Sequence, residues 1–200
     1  MKSLSMLVLV AALAAPAAFA ADMPKGSIAG YLTMSEADIE GFGKDDGTGF
    51  GVRGWASVSE PFFVHGEYQT TGMDIGGADG DLESLRLGGG FVSTMSSGVM
   101  WLGKAELVDF GSDADEDGFG FHGGMMFHPS EQFGLYGTLG YLMLNDTDGL
   151  ELNLGASMNF TREFAGVLDY RTYLGEYDIG GVTGDFTVTD LRLGVAYMFY

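Results

Sequence analysis

The sequence predicts an all-β fold, an antiparallel up-and-down transmembrane β-barrel of ten strands, with eight strands as the alternative. Three observations predict it. Apolar and polar residues alternate with period two over repeated segments. Tight and longer connections alternate along the chain. After residue 21, no charge-free, glycine-poor stretch approaches the roughly twenty apolar residues of a membrane-crossing helix.

The first twenty residues read as a segment that the mature chain lacks. Lys2 supplies a positive start, Leu4 to Ala15 is an apolar run too short to span a bilayer, and Ala18-Phe19-Ala20 is a small-x-small cleavage pattern. The expected division is a signal peptide over 1–20, cut between Ala20 and Ala21, and one barrel domain over 21–200. The chain has no Cys, so packing and hydrogen bonds must hold it without disulfides. The formal charge of −19 becomes −20 when Lys2 leaves, which argues against nucleic acid as a partner because phosphate binding needs clustered Lys and Arg.

Leu150 to Phe160 is the clearest strand. Leu150, Leu152, Leu154, Ala156, Met158 and Phe160 alternate with Glu151, Asn153, Gly155, Ser157 and Asn159, so one face is apolar and the other polar or small. Leu191 to Phe199 repeats the pattern, as do 133–143 and 118–128, where Phe119, Phe121, Met125 and Phe127 alternate with Gly120, His122, Gly124 and Met126. Further strands are expected near 27–36, 48–59, 62–73, 82–94, 99–110 and 164–176. Tight links fall at Glu60-Pro61, Met95 to Gly98, Ser130 to Gln132 and Thr161 to Glu163. Mostly longer acidic links are expected near 37–47, 74–81, 111–117, 145–149 and 177–186. That asymmetry predicts an up-and-down barrel with periplasmic termini. Lipid cannot satisfy a free sheet edge, so the sheet must close on itself. A soluble β-sandwich or lipocalin-like barrel would also alternate, but its outward polar face would be rich in Lys; the polar faces here carry Gly and paired charge. Phe62, Phe63, Phe127, Phe133, Phe160, Phe164 and Phe199 are expected to form a girdle at the periplasmic interface.

Five basic residues, Arg53, Arg86, Lys104, Arg171 and Arg192, fall on the face assigned to the interior, together with Glu67, Glu106, Glu151, Asp169 and Asp190. A Lys or Arg on the lipid face costs roughly 2–4 kcal/mol at the midplane, which sorts them inward. The expectation is a largely occluded lumen in which these groups pair beside His65, Gln69, Tyr136 and Asn153.

Asp113, Asp115 and Asp117 match the first half of a calcium loop, but position twelve is Gly124 on an expected strand where a bidentate Glu is required. A solvated acidic loop, with at most loose binding of divalent cations, is the simpler reading. No cofactor is expected. For catalysis, His65 and His122 face inward and His128 lies beside a short turn, so no histidine is placed to serve as a base at the outer rim. Gly88-Gly89-Gly90 is not followed by a helix and reads as strand glycine rather than a phosphate loop.

These residues together resemble the small single-chain outer-membrane β-barrel proteins, the porin-like group around OmpX, the OmpA barrel and the opacity proteins. The most specific match is the tail Gly194-Val195-Ala196-Tyr197-Met198-Phe199, similar to that group's C-terminal assembly signal, with Tyr197 and Phe199 on the alternating face and Tyr200 as one extra residue. The resemblance implies the Gram-negative outer membrane as location. It also implies outer-membrane lipid, lipopolysaccharide, periplasmic chaperones and the barrel-assembly machinery as partners. The expected role is non-enzymatic: structural, adhesive or envelope-integrity, acting through acidic surface loops. The alternatives are a porin-like narrow channel and, behind it, an outer-membrane enzyme.

Overall fold

The computed structural model describes residues 24–41, 43–75, 78–96, 98–111, 116–179 and 181–200. The expected cleavage site at Ala20 and Ala21 lies outside these residues, as do Asp113 and Asp115.

Ten antiparallel strands form one closed barrel, and among the described residues there is no helix. They are β1 (Gly26–Ile39), β2 (Gly43–Ser59), β3 (Phe62–Ile75), β4 (Ala78–Ser96), β5 (Val99–Phe110), β6 (Glu116–Phe127), β7 (Phe133–Leu144), β8 (Thr147–Asn159), β9 (Phe164–Ile179) and β10 (Val182–Phe199). Each strand pairs with its sequence neighbours, and β1 closes on β10 in unbroken register from Gly26↔Phe199 to Ile39↔Phe186. Lys25 donates its amide to the Phe199 carbonyl at 2.8 Å, extending the seam past the last ladder pair. Two register shifts, at Ser57/Ser59 and Thr94/Ser96, lie at the end of the barrel that carries the termini.

The outer surface is apolar where the inner one is polar. Along β10, Leu193 is 63% exposed while its neighbour Arg192 is 1% exposed; along β8, Leu150 is 48% exposed and Glu151 1%. A soluble barrel buries the opposite set, so this inversion is what a lipid-facing wall requires.

The connections differ from the expected alternation of tight turns and long acidic loops. At the end opposite the termini the strands run on to Ile39/Gly43, Ile75/Ala78, Phe110/Glu116, Leu144/Thr147 and Ile179/Val182. What reads as acidic loop in sequence is therefore mostly strand. The backbone ladder does not need apolar side chains, and alternation fades where hydrocarbon ends rather than where pairing ends. Strands of 12 to 19 residues exceed the roughly nine to eleven that a bilayer needs, so the acidic hairpins stand beyond the apolar belt.

Phe62, Phe127, Phe133, Phe160, Phe164 and Phe199 are exposed on the outer face near the terminus-bearing end. Phe63 is not part of that ring. It follows Phe62 on β3, so the pleat turns it inward, where it packs edge-on against Trp55 at 6.5 Å between centroids.

Large inward side chains lie across glycines of the adjoining strand. Tyr31 covers Gly51, His122 covers Gly140 and Tyr136 covers Gly155, and a Cβ at any of these glycines would overlap the ring. A narrow lumen fills at native density only if one partner of each such pair has no side chain. Gly140→Ala should therefore destabilise the refolded barrel by about 1–3 kcal/mol in urea unfolding. Gly123→Ala, whose Cβ would meet nothing within 4 Å, should be nearly neutral.

Candidate functional site

The inward faces of the strands converge on a charged layer that crosses the lumen. Period two alone directs these side chains inward, but the register decides which of them meet. Arg86 stands opposite Glu67 in the ladder, yet its guanidinium reaches across the barrel to β8. There Nη1 donates to Glu151 Oε1 at 2.9 Å and Nη2 to Oε2 at 2.7 Å, and Nη1 also donates to Glu106 Oε1 at 3.0 Å. Lys104 holds the other oxygen of Glu106 at 2.7 Å.

A second bridge runs from β9 to β3. Arg171 donates to Glu67 at 2.8 Å and to Asp190 Oδ2 at 2.7 Å, and Arg192 donates to the same Asp190 oxygen at 3.1 Å. Ser35 donates to Asp190 Oδ1 at 2.6 Å, and Gln69 donates to Oδ2 at 3.4 Å. The third bridge joins β2 to β9 and β7: Arg53 pairs with Asp169 at 2.6 Å and donates to the Tyr136 hydroxyl at 3.3 Å, while Tyr136 donates to Asp169. The Arg192 and Arg53 guanidiniums also lie over the Tyr31 ring, at 5.2 and 5.8 Å.

Five cations and five carboxylates therefore share this layer, and their charges cancel. Such cancellation is the condition for burying ions, because each costs several kcal/mol to desolvate without a partner. Arg53 and Lys104 keep side-chain exposures of 22% and 18%, the most open of the ten, followed by Glu67 at 13%. On the side away from the termini, Val108, Leu142 and Tyr173 form an apolar layer with Phe110, Leu144 and Phe186, and Arg86 sits 5.6 Å from the Phe110 ring centroid.

All ten charged residues expected in the lumen lie there. Gln69 joins them by hydrogen bonds and His65 Nε2 stands 3.4 Å from Glu106 Oε2, while neither that nitrogen nor the side-chain oxygen of Asn153 has a hydrogen-bond partner among the described residues. Tyr31 and Ser35 are polar partners missed in the sequence, although Tyr31, Thr33 and Ser35 alternate with Gly30, Leu32 and Met34 and so carried a readable phase. Asp117 lies exposed and accepts a hydrogen bond from Asn145, away from the charged layer. Tyr197 and Phe199 face outward beside the seam, and Tyr200 folds back so that its hydroxyl donates to the Arg162 carbonyl at 3.0 Å. His128 sits at a turn outside the strands, where burial pushes its imidazole pKa down.

The family model of the outer membrane protein beta-barrel domain matches residues 5–199. The chain belongs to that family. It is accordingly a protein of the Gram-negative outer membrane, and the barrel described above is its membrane-spanning body. Solved structures with a similar fold include the outer membrane protease OmpT from Escherichia coli (TM-score 0.56, 9% identity, 88% of this chain and 97% of that one). An outer membrane channel from Pseudomonas putida F1 is also similar (0.52, 9%, 89% and 97%), as is Neisserial surface protein A (0.50, 12%, 88% and 97%). At these identities the likeness is one of fold. No curated protein sequence gives a significant match.

Removing one member of a buried pair strands the other. Glu151→Gln should lower the unfolding free energy of the refolded barrel by about 3–5 kcal/mol, while the double replacement Arg86→Met, Glu151→Met should recover most of that loss. Equal losses in the single and double variants would contradict the pairing.

Proposed function

We propose that the chain is a closed, non-enzymatic outer-membrane barrel with a structural, adhesive or envelope-integrity role at the cell surface. The observation that carries this reading is the trans-lumen ion layer. Arg86, Glu106, Glu151, Asp169, Asp190 and Arg192 are each at most 3% exposed, which supports a midsection without a continuous aqueous path. A sealed lumen moves the interactive surface to the hairpins beyond the membrane. With the termini in the periplasm, these hairpins face outward from the cell. Lys44 is the one basic residue described at that end, and it is already held by Glu36 at 2.9 Å and Asp38 at 3.4 Å. Exposed carboxylates such as Asp81, Asp117 and Glu176 dominate the rest. Such a rim suits contact with lipopolysaccharide through shared divalent cations, or with a basic partner. The non-enzymatic reading is supported by the histidines, since His65 and His122 are locked in the lumen and His128 lies at the terminus-bearing end. The tail Tyr197, Phe199 and Tyr200 is the segment that would be offered to chaperones and the assembly machinery.

Planar-bilayer recording of the refolded protein tests the closed lumen. The reading predicts no stepwise conductance at neutral pH. It also predicts that steps appear when Arg86 and Glu151 are both replaced by Gly. Reproducible open-channel steps from the native chain would contradict it and favour a narrow porin.

A further inference from the structure

His122 is buried, and neither of its ring nitrogens has a hydrogen-bond partner in the structure. Nε2 nevertheless stands 3.0 Å from Glu106 Oε1 and Nδ1 stands 3.9 Å from Glu151 Oε1. At 3.0 Å the shortfall is one of direction, because the ring is turned so that an N–H at Nε2 misses the oxygen. One ligand atom from each of Glu106, His122 and Glu151 falls within 4.8 Å of the others. Two ligands of one zinc-sized ion, each about 2.0–2.2 Å from it, stand roughly 3.0–3.5 Å apart. The Glu106–His122 pair already has that spacing through Nε2, and Glu151, which stands nearer Nδ1, has to close on the Nε2 side, since a single imidazole nitrogen ligates the ion.

The pocket is built around this ring. Gly140 lies under the imidazole where a Cβ would overlap it, and a Cβ at Gly120 would stand 3.0 Å from His122 Nε2 and 3.1 Å from Glu106 Cγ. Glu106 is held from behind through Oε2 by Lys104 at 2.7 Å, which leaves Oε1 turned toward His122. Outer partners that orient a ligating carboxylate in this way are typical of metal centres.

We infer that Glu106, His122 and Glu151 form a binding site for a divalent transition-metal ion of the zinc class, in competition with Arg86. Arg86 Nη1 bonds the same two oxygens, Glu106 Oε1 and Glu151 Oε1. A metal ion displaces that one donor, while Nη2 keeps its bond to Glu151 Oε2. An imidazole donor in the set favours zinc, cobalt or copper over calcium or magnesium, which prefer all-oxygen sites.

The test is titration of the refolded full chain in detergent with Co²⁺ or Zn²⁺ alone, reading stoichiometry by calorimetry and ligation by the cobalt visible spectrum. The proposal expects one ion per chain and loss of binding in His122→Gln. It expects binding at least tenfold tighter in Arg86→Gln, because the competing cation is gone, and no change in His128→Gln. Heat-modifiable gel migration checks that each variant forms the barrel. Should His122→Gln fail to fold, Cu²⁺ electron paramagnetic resonance of the native chain decides by the presence or absence of coupling to an imidazole nitrogen. Binding that survives His122→Gln, binding lost in His128→Gln, or an absence of binding by the native chain would each overturn the proposal. Binding confined to Arg86→Gln would overturn it as well, since the guanidinium would then hold the site permanently.

Discussion

A strand pressed against hydrocarbon has no water to bond its amides, and every other feature of this barrel depends on meeting that constraint. The β1–β10 seam meets it by removing the last sheet edge, from Gly26↔Phe199 to Ile39↔Phe186. Once the sheet is closed, each side chain has two destinations, lipid or lumen, and the pleat assigns them alternately. Leu193 and Arg192 are neighbours in the chain and belong to different solvents.

The lumen follows from the same sorting. Charges refused by the lipid collect in a cylinder too narrow to hydrate them, so they must neutralise one another. Arg86 with Glu151, Arg171 with Glu67, and Arg53 with Asp169 do so across the barrel rather than along it. Each bridge therefore ties together walls that are far apart in sequence. The aromatic-over-glycine pairs give these arginines their room: Tyr31 can lie under Arg53 and Arg192 because Gly51 has no side chain to displace it. The buried pairs need not add net stability over an apolar filling, but removing one partner leaves the other charge buried and unpaired.

The parts of this arrangement legible in sequence are those enforced by the membrane. Leu150 to Phe160 alternates because lipid selects one face and the lumen the other, so strand number and the inward placement of all ten charged residues could be read directly. Strand ends could not, because beyond the bilayer Asp45 and Asp46 sit in a ladder as readily as in a loop. Phe63 looked like a girdle residue by composition, and only its pleat position beside Phe62 assigns it to the lumen. Partner choice was also out of reach. Arg86 faces Glu67 in the adjacent strand but bonds Glu151 four strands away, a choice set by the stagger of the closed barrel.

The two tryptophans offer the most direct test, since Trp101 lies on the outer face against Phe91 and Trp55 faces inward against Phe63. Fluorescence of the single-tryptophan variants Trp55→Phe and Trp101→Phe, refolded into vesicles of brominated lipid, should be strongly quenched when Trp101 remains and nearly unquenched when Trp55 remains. Quenching of Trp55 with sparing of Trp101 would mean that the polar faces meet lipid, and would contradict the account.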